Sequence, residues 1–152
     1  MDFSIALAVL LERQFTKVSN RNSKRRRMKL FTIEEANDAL AEIAPKLRKI
    51  KKLYTEIAEM KNSAAAAAAA SSFGGGMKGG SDYVEALYKI GKLTTELHEE
   101  GVQIKDATRG LIDFPCMRDG RVVLLCWELG EPERIEWWHE IDGGFDGRKA
   151  LD

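Results

Sequence analysis

The chain predicts an α+β fold: a long antiparallel helical hairpin followed by a small antiparallel β-meander of three to four strands. Three observations carry this. Between Ile33 and Leu97 apolar residues recur in steps of three and four, the spacing of one helix face. An alanine- and glycine-rich stretch, "NSAAAAAAASSFGGGMKGGS", divides that region in two. After Gly101 the apolar period falls to two, and short β-type runs alternate with Gly and Pro.

The first helix is expected over 28–62. Thr32 and Glu35 stand at capping-box spacing. Its seam runs Ile33, Ala36, Leu40, Ile43, Leu47, Ile50, Tyr54 and Ile57, the pattern of a coiled coil. Pro45 removes one backbone hydrogen bond and crowds the carbonyl of Ala41, which predicts a kink or a break between a short helix at 33–43 and a longer one from Pro45. The basic run "KLRKIKK" (46–52) interleaves with the seam and reads as a solvated outer face, with a phosphate-binding strip as the lesser alternative.

Residues 63–81 are expected to form a flexible tip, into which the alanines can extend the first helix by two turns. No Walker-type spacing is present there, so phosphate cradling is not expected. A second helix is expected over 82–100, capped by Asp82 and Glu85, with a seam of Tyr83, Leu87, Ile90, Thr94 and Leu97 and a stop at Gly101. His98 sits in its last turn, where a cation is mildly favoured, and is not read as a ligand. Two helices alone bury too little, so their remaining apolar faces need a sheet or a second subunit.

The meander is expected over 102–140. Asp119-Gly120 is a strong two-residue turn signal, and centring a hairpin on it sets the register. Cys116 then faces Val123, Phe114 faces Leu125 and Ile112 faces Trp127, giving one wholly apolar face for the helices. The reverse face carries Leu111, Asp113, Pro115, Leu124, Cys126 and Glu128. A slip of one position would turn Asp113 inward and spoil the apolar face. Asp113 and Glu128 are expected as diagonal neighbours, with Lys105, Arg121 and Arg148 as the cations that can neutralise them. Such a group either fixes strand order or marks a site.

In "ERIEWWHEID" alternation places Ile135, Trp137 and His139 on one face and Glu136, Trp138 and Glu140 on the other. The residues expected to bind a ligand are Lys105, Asp106, Asp113, Arg121, Glu128, Trp138, His139, Glu140 and Arg148. An alternative reading places a divalent metal on His139, Glu140, Asp142 and Asp146, although no paired-histidine spacing supports it. No Gly-x-Ser-x-Gly elbow is present, and no motif supports a Cys126–His139 nucleophile pair. The tail 141–152 is aromatic enough to be ordered, with Arg148 free to fork a carboxylate or phosphate or to tie back onto Asp142 or Asp146.

Residues 1–27 carry +5 (seven Lys/Arg against Asp2 and Glu12), which leaves −5 on 28–152. An acidic body argues against nucleic-acid binding. The nine-residue run "FSIALAVLL" is too short to span a bilayer, and two unpaired cysteines fit a reducing cytoplasm. Arg-Arg just before Met28 matches a translated ribosome-binding site, so 1–27 is read as a start-site artefact or a disordered arm.

Residues 28–152, expected to form a single domain, resemble the bacterial family called domain of unknown function 2203. The resemblance rests on "MKLFTIEEAN", "GVQIKDATRGLIDFP", "GRVVLLCWELGE" and "WWHEIDGGFDGR". It implies an architecture and no activity, since that family is described as uncharacterised. The 27-residue leader and the Ala/Gly tip depart from the family pattern.

Two functional readings arise. One is a non-enzymatic interaction module, forming a homo-oligomer or gripping a protein partner through the helical hairpin. The other is a small metal-dependent hydrolase or ligand-binding protein using the C-terminal carboxylates and His139. If 1–27 is an artefact, the intact mass of the native protein is expected to correspond to a start at Met28; a product retaining 1–27 overturns that reading.

Overall fold

The computed structural model describes residues 28–70 and 79–151. The expectations for 1–27, for 71–78 of the tip and for Asp152 lie outside the described residues.

Helix α1 spans Ile33–Ala70 and opens on the expected capping box. The Thr32 hydroxyl accepts from the Glu35 amide at 3.1 Å, and the Glu35 carboxylate accepts from the Thr32 amide at 2.8 Å. Of the two outcomes expected at Pro45, a kink or a break, the break does not occur: the helix runs through it. Pro45 and Ala41 are both on the exposed side, so the carbonyl deprived of its partner is open to water. The alanines prolong α1 past residue 62, giving a rod of about 57 Å at ~1.5 Å per residue.

Helix α2 spans Gly80–Glu99 and starts two residues earlier than predicted, without a side-chain cap. Asp82 only lies in its first turn, and Glu85 pairs with Lys89 at 2.6 Å instead. At its end the Gly101 amide donates to His98 and the Val102 amide to Leu97, closing the helix where expected.

The buried face of α1 is wider than one seam. Ala44 and Leu53 join Ala36, Leu40, Ile43, Leu47, Ile50 and Ile57, whereas Ile33 is exposed and Tyr54 only half-buried. On α2 the buried line is Ala86, Ile90, Gly91 and Leu97, flanked by the half-buried Tyr83, Leu87 and Leu93. The widening has a cause: α1 serves two partners. As far as Ile50 it packs on the sheet, and at Leu53 and Ile57 it packs on Ala86 and Ile90. Lys46 meets Glu96 and Glu100 near the far end of α2, so the helices pass each other in opposite directions. The basic strip is engaged in pairs of this kind, with Arg48 on Glu133 at 3.5 Å and Lys52 on Glu56 at 3.7 Å.

Five antiparallel strands complete the fold in sequence order, more than the three to four expected: β1 (Gln103–Asp106), β2 (Leu111–Arg118), β3 (Arg121–Glu128), β4 (Trp137–Glu140) and β5 (Lys149–Ala150). The extra strand comes from the tail, which turns back through a 3-10 segment at Phe145–Gly147. Asp119 (φ 50°) and Gly120 (φ 77°) both have positive φ, the signature of a type I′ turn, whose twist matches the strands it joins. The β2–β3 register is the predicted one at every pair, from Arg118 opposite Arg121 to Ile112 opposite Trp127.

Ile112, Phe114, Cys116, Val123, Leu125 and Trp127 therefore share a core with α1. Phe31 extends that core by a parallel bridge to Cys116 and an edge-on contact with Phe114, ring centroids 5.1 Å apart. Ile135 departs from the expected face. It precedes β4, and the Asn37 side chain accepts from its amide at 2.6 Å and draws it into the helix-side core.

Gly110 (φ 76°) leads into β2 beneath Leu129, whose Cδ1 would lie 2.3 Å from any added Cβ. Gly110→Ala is expected to cost about 2–5 kcal/mol, combining left-handed strain with overpacking. Gly120→Ala meets open space and is expected to cost only about 1–2 kcal/mol of strain. Denaturant unfolding of both variants checks this; equal losses would remove the packing argument.

Candidate functional site

Pleating turns alternate residues of β2, β3 and β4 away from the helices. On that reverse face Asp113 stands opposite Cys126, and His139, opposite Leu124, is the diagonal neighbour of Cys126. All three side chains are buried: Asp113 and Cys126 are 1% exposed and His139 2%. One ligand atom from each lies within 4.8 Å of the other two. Sequence reasoning reaches Asp113 and His139 but leaves Cys126 out of the ligand set. The signal is available, since parity in the predicted hairpin places Cys126 directly across from Asp113.

His139 is held from both sides. Its Nδ1 lies 2.7 Å from the carbonyl oxygen of Glu140, which only accepts, so Nδ1 carries a hydrogen. Nε2 then points at Asp113, 3.3 Å from each carboxylate oxygen. Asp113 Oδ2 is buried without a hydrogen-bond partner, and the nearest cation is Lys105 Nζ at 3.7 Å. Burial, and after it the Asp113 carboxylate, pushes the Cys126 thiol up to about 12. At neutral pH this thiol is protonated, which disfavours the Cys126–His139 nucleophile reading on chemical grounds.

The remaining expected site residues divide between the two faces. Glu128, opposite Leu111, is the diagonal neighbour of Asp113 that the register predicts, but its neutralising cation is Arg109, outside the predicted set, which forks it at 2.9 and 2.7 Å. Arg121 and Glu140 bond at 2.9 Å on the side of the sheet that carries Val123, away from His139. Glu140 is therefore separated from His139 by the pleat, and Asp142 and Asp146 are exposed in the turn after β4. The proposed metal set of His139, Glu140, Asp142 and Asp146 does not converge, since alternation sends consecutive side chains to opposite faces.

Trp138 is likewise on the helix side, in the core, with Arg118 and Lys149 over its ring. Arg148 returns to the reverse face, but its partner is Glu131 at 2.5 Å, not Asp142 or Asp146. It lies over Trp137 and Phe145, and Arg109 lies over Phe145 as well, so one ring of the tail meets two guanidinium groups. Arg148 Nε is buried without a hydrogen-bond partner.

Asp106 builds the β1–β2 connection. Its Oδ1 accepts from the Thr108 amide, the Thr108 hydroxyl and the Arg109 amide at 2.9, 2.7 and 3.0 Å. Burial raises the Asp106 carboxyl, but these donors and the nearby Arg109 charge together outweigh it and hold the group below its usual value.

Two surface hollows among the described residues lie elsewhere, one beside Leu30, Ile33 and Met117 and another beside Ile33, Trp137 and Leu151. The Asp113–Cys126–His139 group is thus a buried polar cluster within a sheet whose other face carries a helix pair. That arrangement defines the class: an α+β domain with a buried polar cluster on the reverse face of its meander. Residues 29–151 match the model of the family described as "Uncharacterized conserved protein (DUF2203)", and the chain belongs to it. Neither the curated proteins nor the solved structures compared with the chain include a match.

With a lowered folded-state pKa, Asp106 contributes stability that is present above its unfolded value near 3.8 and lost as pH falls through the folded value. Asp106→Ala is expected to cost about 1–2 kcal/mol at pH 7. The gap from wild type should narrow below pH 4; a gap independent of pH would show that the carboxylate charge is not what holds the turn.

Proposed function

We propose that this chain is a non-enzymatic interaction module of the cytoplasm, self-associating through its helix pair. Its sheet carries a small binding site on the reverse face, where the exposed Lys105 borders the buried Asp113 and His139. The supporting observation is on α2. Val84 is 64% exposed and Tyr88 72%, one helical turn apart and beside the half-buried Tyr83 and Leu87. Ala86 and Ile90 are buried against α1, and Tyr83 and Leu87 pack partly on the same cluster, so among the described residues Val84 and Tyr88 are the part of the α2 band left uncovered. A second copy of the same pair is the occupant we assign, because isologous contacts let one band cover its equal.

No helix among the described residues is long and apolar enough to cross a membrane. A hydrolytic role has less support: the expected metal carboxylates are dispersed, and Glu128 and Glu140 are both engaged by arginines.

Light scattering on the eluting protein is expected to give the mass of two chains. The double variant Val84→Glu/Tyr88→Glu should give one chain that stays folded, with a melting temperature that no longer depends on protein concentration. A wild-type protein that remains a single chain at every concentration overturns the proposal.

A further inference from the structure

We infer that Asp113, Cys126 and His139 form a binding site for one borderline divalent transition-metal ion of the zinc class. The first argument is hydrogen bookkeeping. With Nδ1 donating to the Glu140 carbonyl, a neutral His139 turns the lone pair of Nε2 toward a carboxylate that also only accepts. Two acceptors facing each other inside a protein require a cation between them, either a proton or a metal ion.

Distance favours the metal ion. A proton shared between imidazole and carboxylate draws them to about 2.7–2.9 Å. Here Nε2 stands 3.3 Å from both oxygens and favours neither. Two ligands bound at about 2.0–2.1 Å to one tetrahedral ion are separated by about 3.3–3.4 Å, the length of the tetrahedron's edge. The Asp113 oxygen buried without a hydrogen-bond partner is the second sign of a missing electrophile.

The donor set then selects the ion. One imidazole nitrogen, one sulfur and one carboxylate suit zinc and its neighbours, whereas calcium and magnesium require several oxygens. Binding transfers the thiol proton of Cys126 to solvent and leaves a thiolate on the metal. A carboxylate, a thiolate and a divalent cation sum to zero charge, so the loaded site suits its buried position. The Nδ1–H bond to the Glu140 carbonyl orients the ring as an outer-shell partner does in metal sites. Three protein ligands leave a fourth position, and the exposed Lys105 stands on the Asp113 side of the cluster, its Nζ 3.7 Å from Oδ2.

The test uses the full chain without a histidine tag, with zinc and cobalt(II) as probes. One equivalent of zinc is expected to bind. Cobalt(II) is expected to give a sulfur-to-metal charge-transfer band together with the intense visible bands of a tetrahedral site. Cys126→Ser, Asp113→Asn and His139→Gln should each weaken zinc binding at least about 100-fold, while Cys116→Ser and His98→Gln leave it unchanged. No uptake, uptake insensitive to the first three substitutions, or a wild-type cobalt spectrum lacking the sulfur band overturns the inference and leaves a shared proton as the occupant. The spectrum is read on wild type, so a variant that fails to fold does not blunt the test. The proposal is independent of self-association: a monomer that binds zinc supports the site and removes only the dimer.

Discussion

The tight bend at Asp119-Gly120 governs the rest of the molecule. Two consecutive residues with positive φ fix which position of β2 faces which of β3, and the side-chain period of two then assigns each residue to its face. Phe114, Leu125 and Trp127 go to the helices, while Asp113 and Cys126 go to the reverse side. Shifted by one position, the same residues would bury a carboxylate against Leu40 and Leu47 and leave phenylalanine without a core. The cost of that exchange makes the register a strong constraint, and β4 inherits it when His139 docks opposite Leu124.

This constraint also explains how much of the fold is legible in the sequence. The β2–β3 pairing is readable because one local turn signal and one apolar alternation agree. The apolar line of α1 is readable for the same reason, from Ala36 to Ile57. The course of the chain at Pro45 is not, because continuity there depends on the exposure of one carbonyl, which periodicity does not encode. The fifth strand escapes because two residues, Lys149 and Ala150, carry no pattern of their own and pair only because Trp137 and Trp138 offer an open edge.

The site is legible in part, and the shortfall is instructive. Alternation and register reach His139 and Asp113, but Glu140, Asp142 and Asp146 join His139 in the expected metal set only by nearness along the chain. In an extended strand, nearness in sequence sends neighbours to opposite faces, and cross-strand pairing assembles a site. Arg109 and Glu131 escape because they act from turns, where no period applies. They hold Glu128 and Arg148, two residues that the sequence assigns to ligand binding.

Helix α1 belongs to both hydrophobic clusters. Among the described residues, seventeen buried core residues, helix and sheet together, anchor the rod at its start, and a cluster of four holds it further along. Its peptide hydrogens should therefore exchange with solvent at graded rates, slowest near Leu40 and Leu47 and progressively faster beyond Ile57. A single uninterrupted helix would then pass from a larger core to a smaller one, with no hinge residue marking the passage from one to the other.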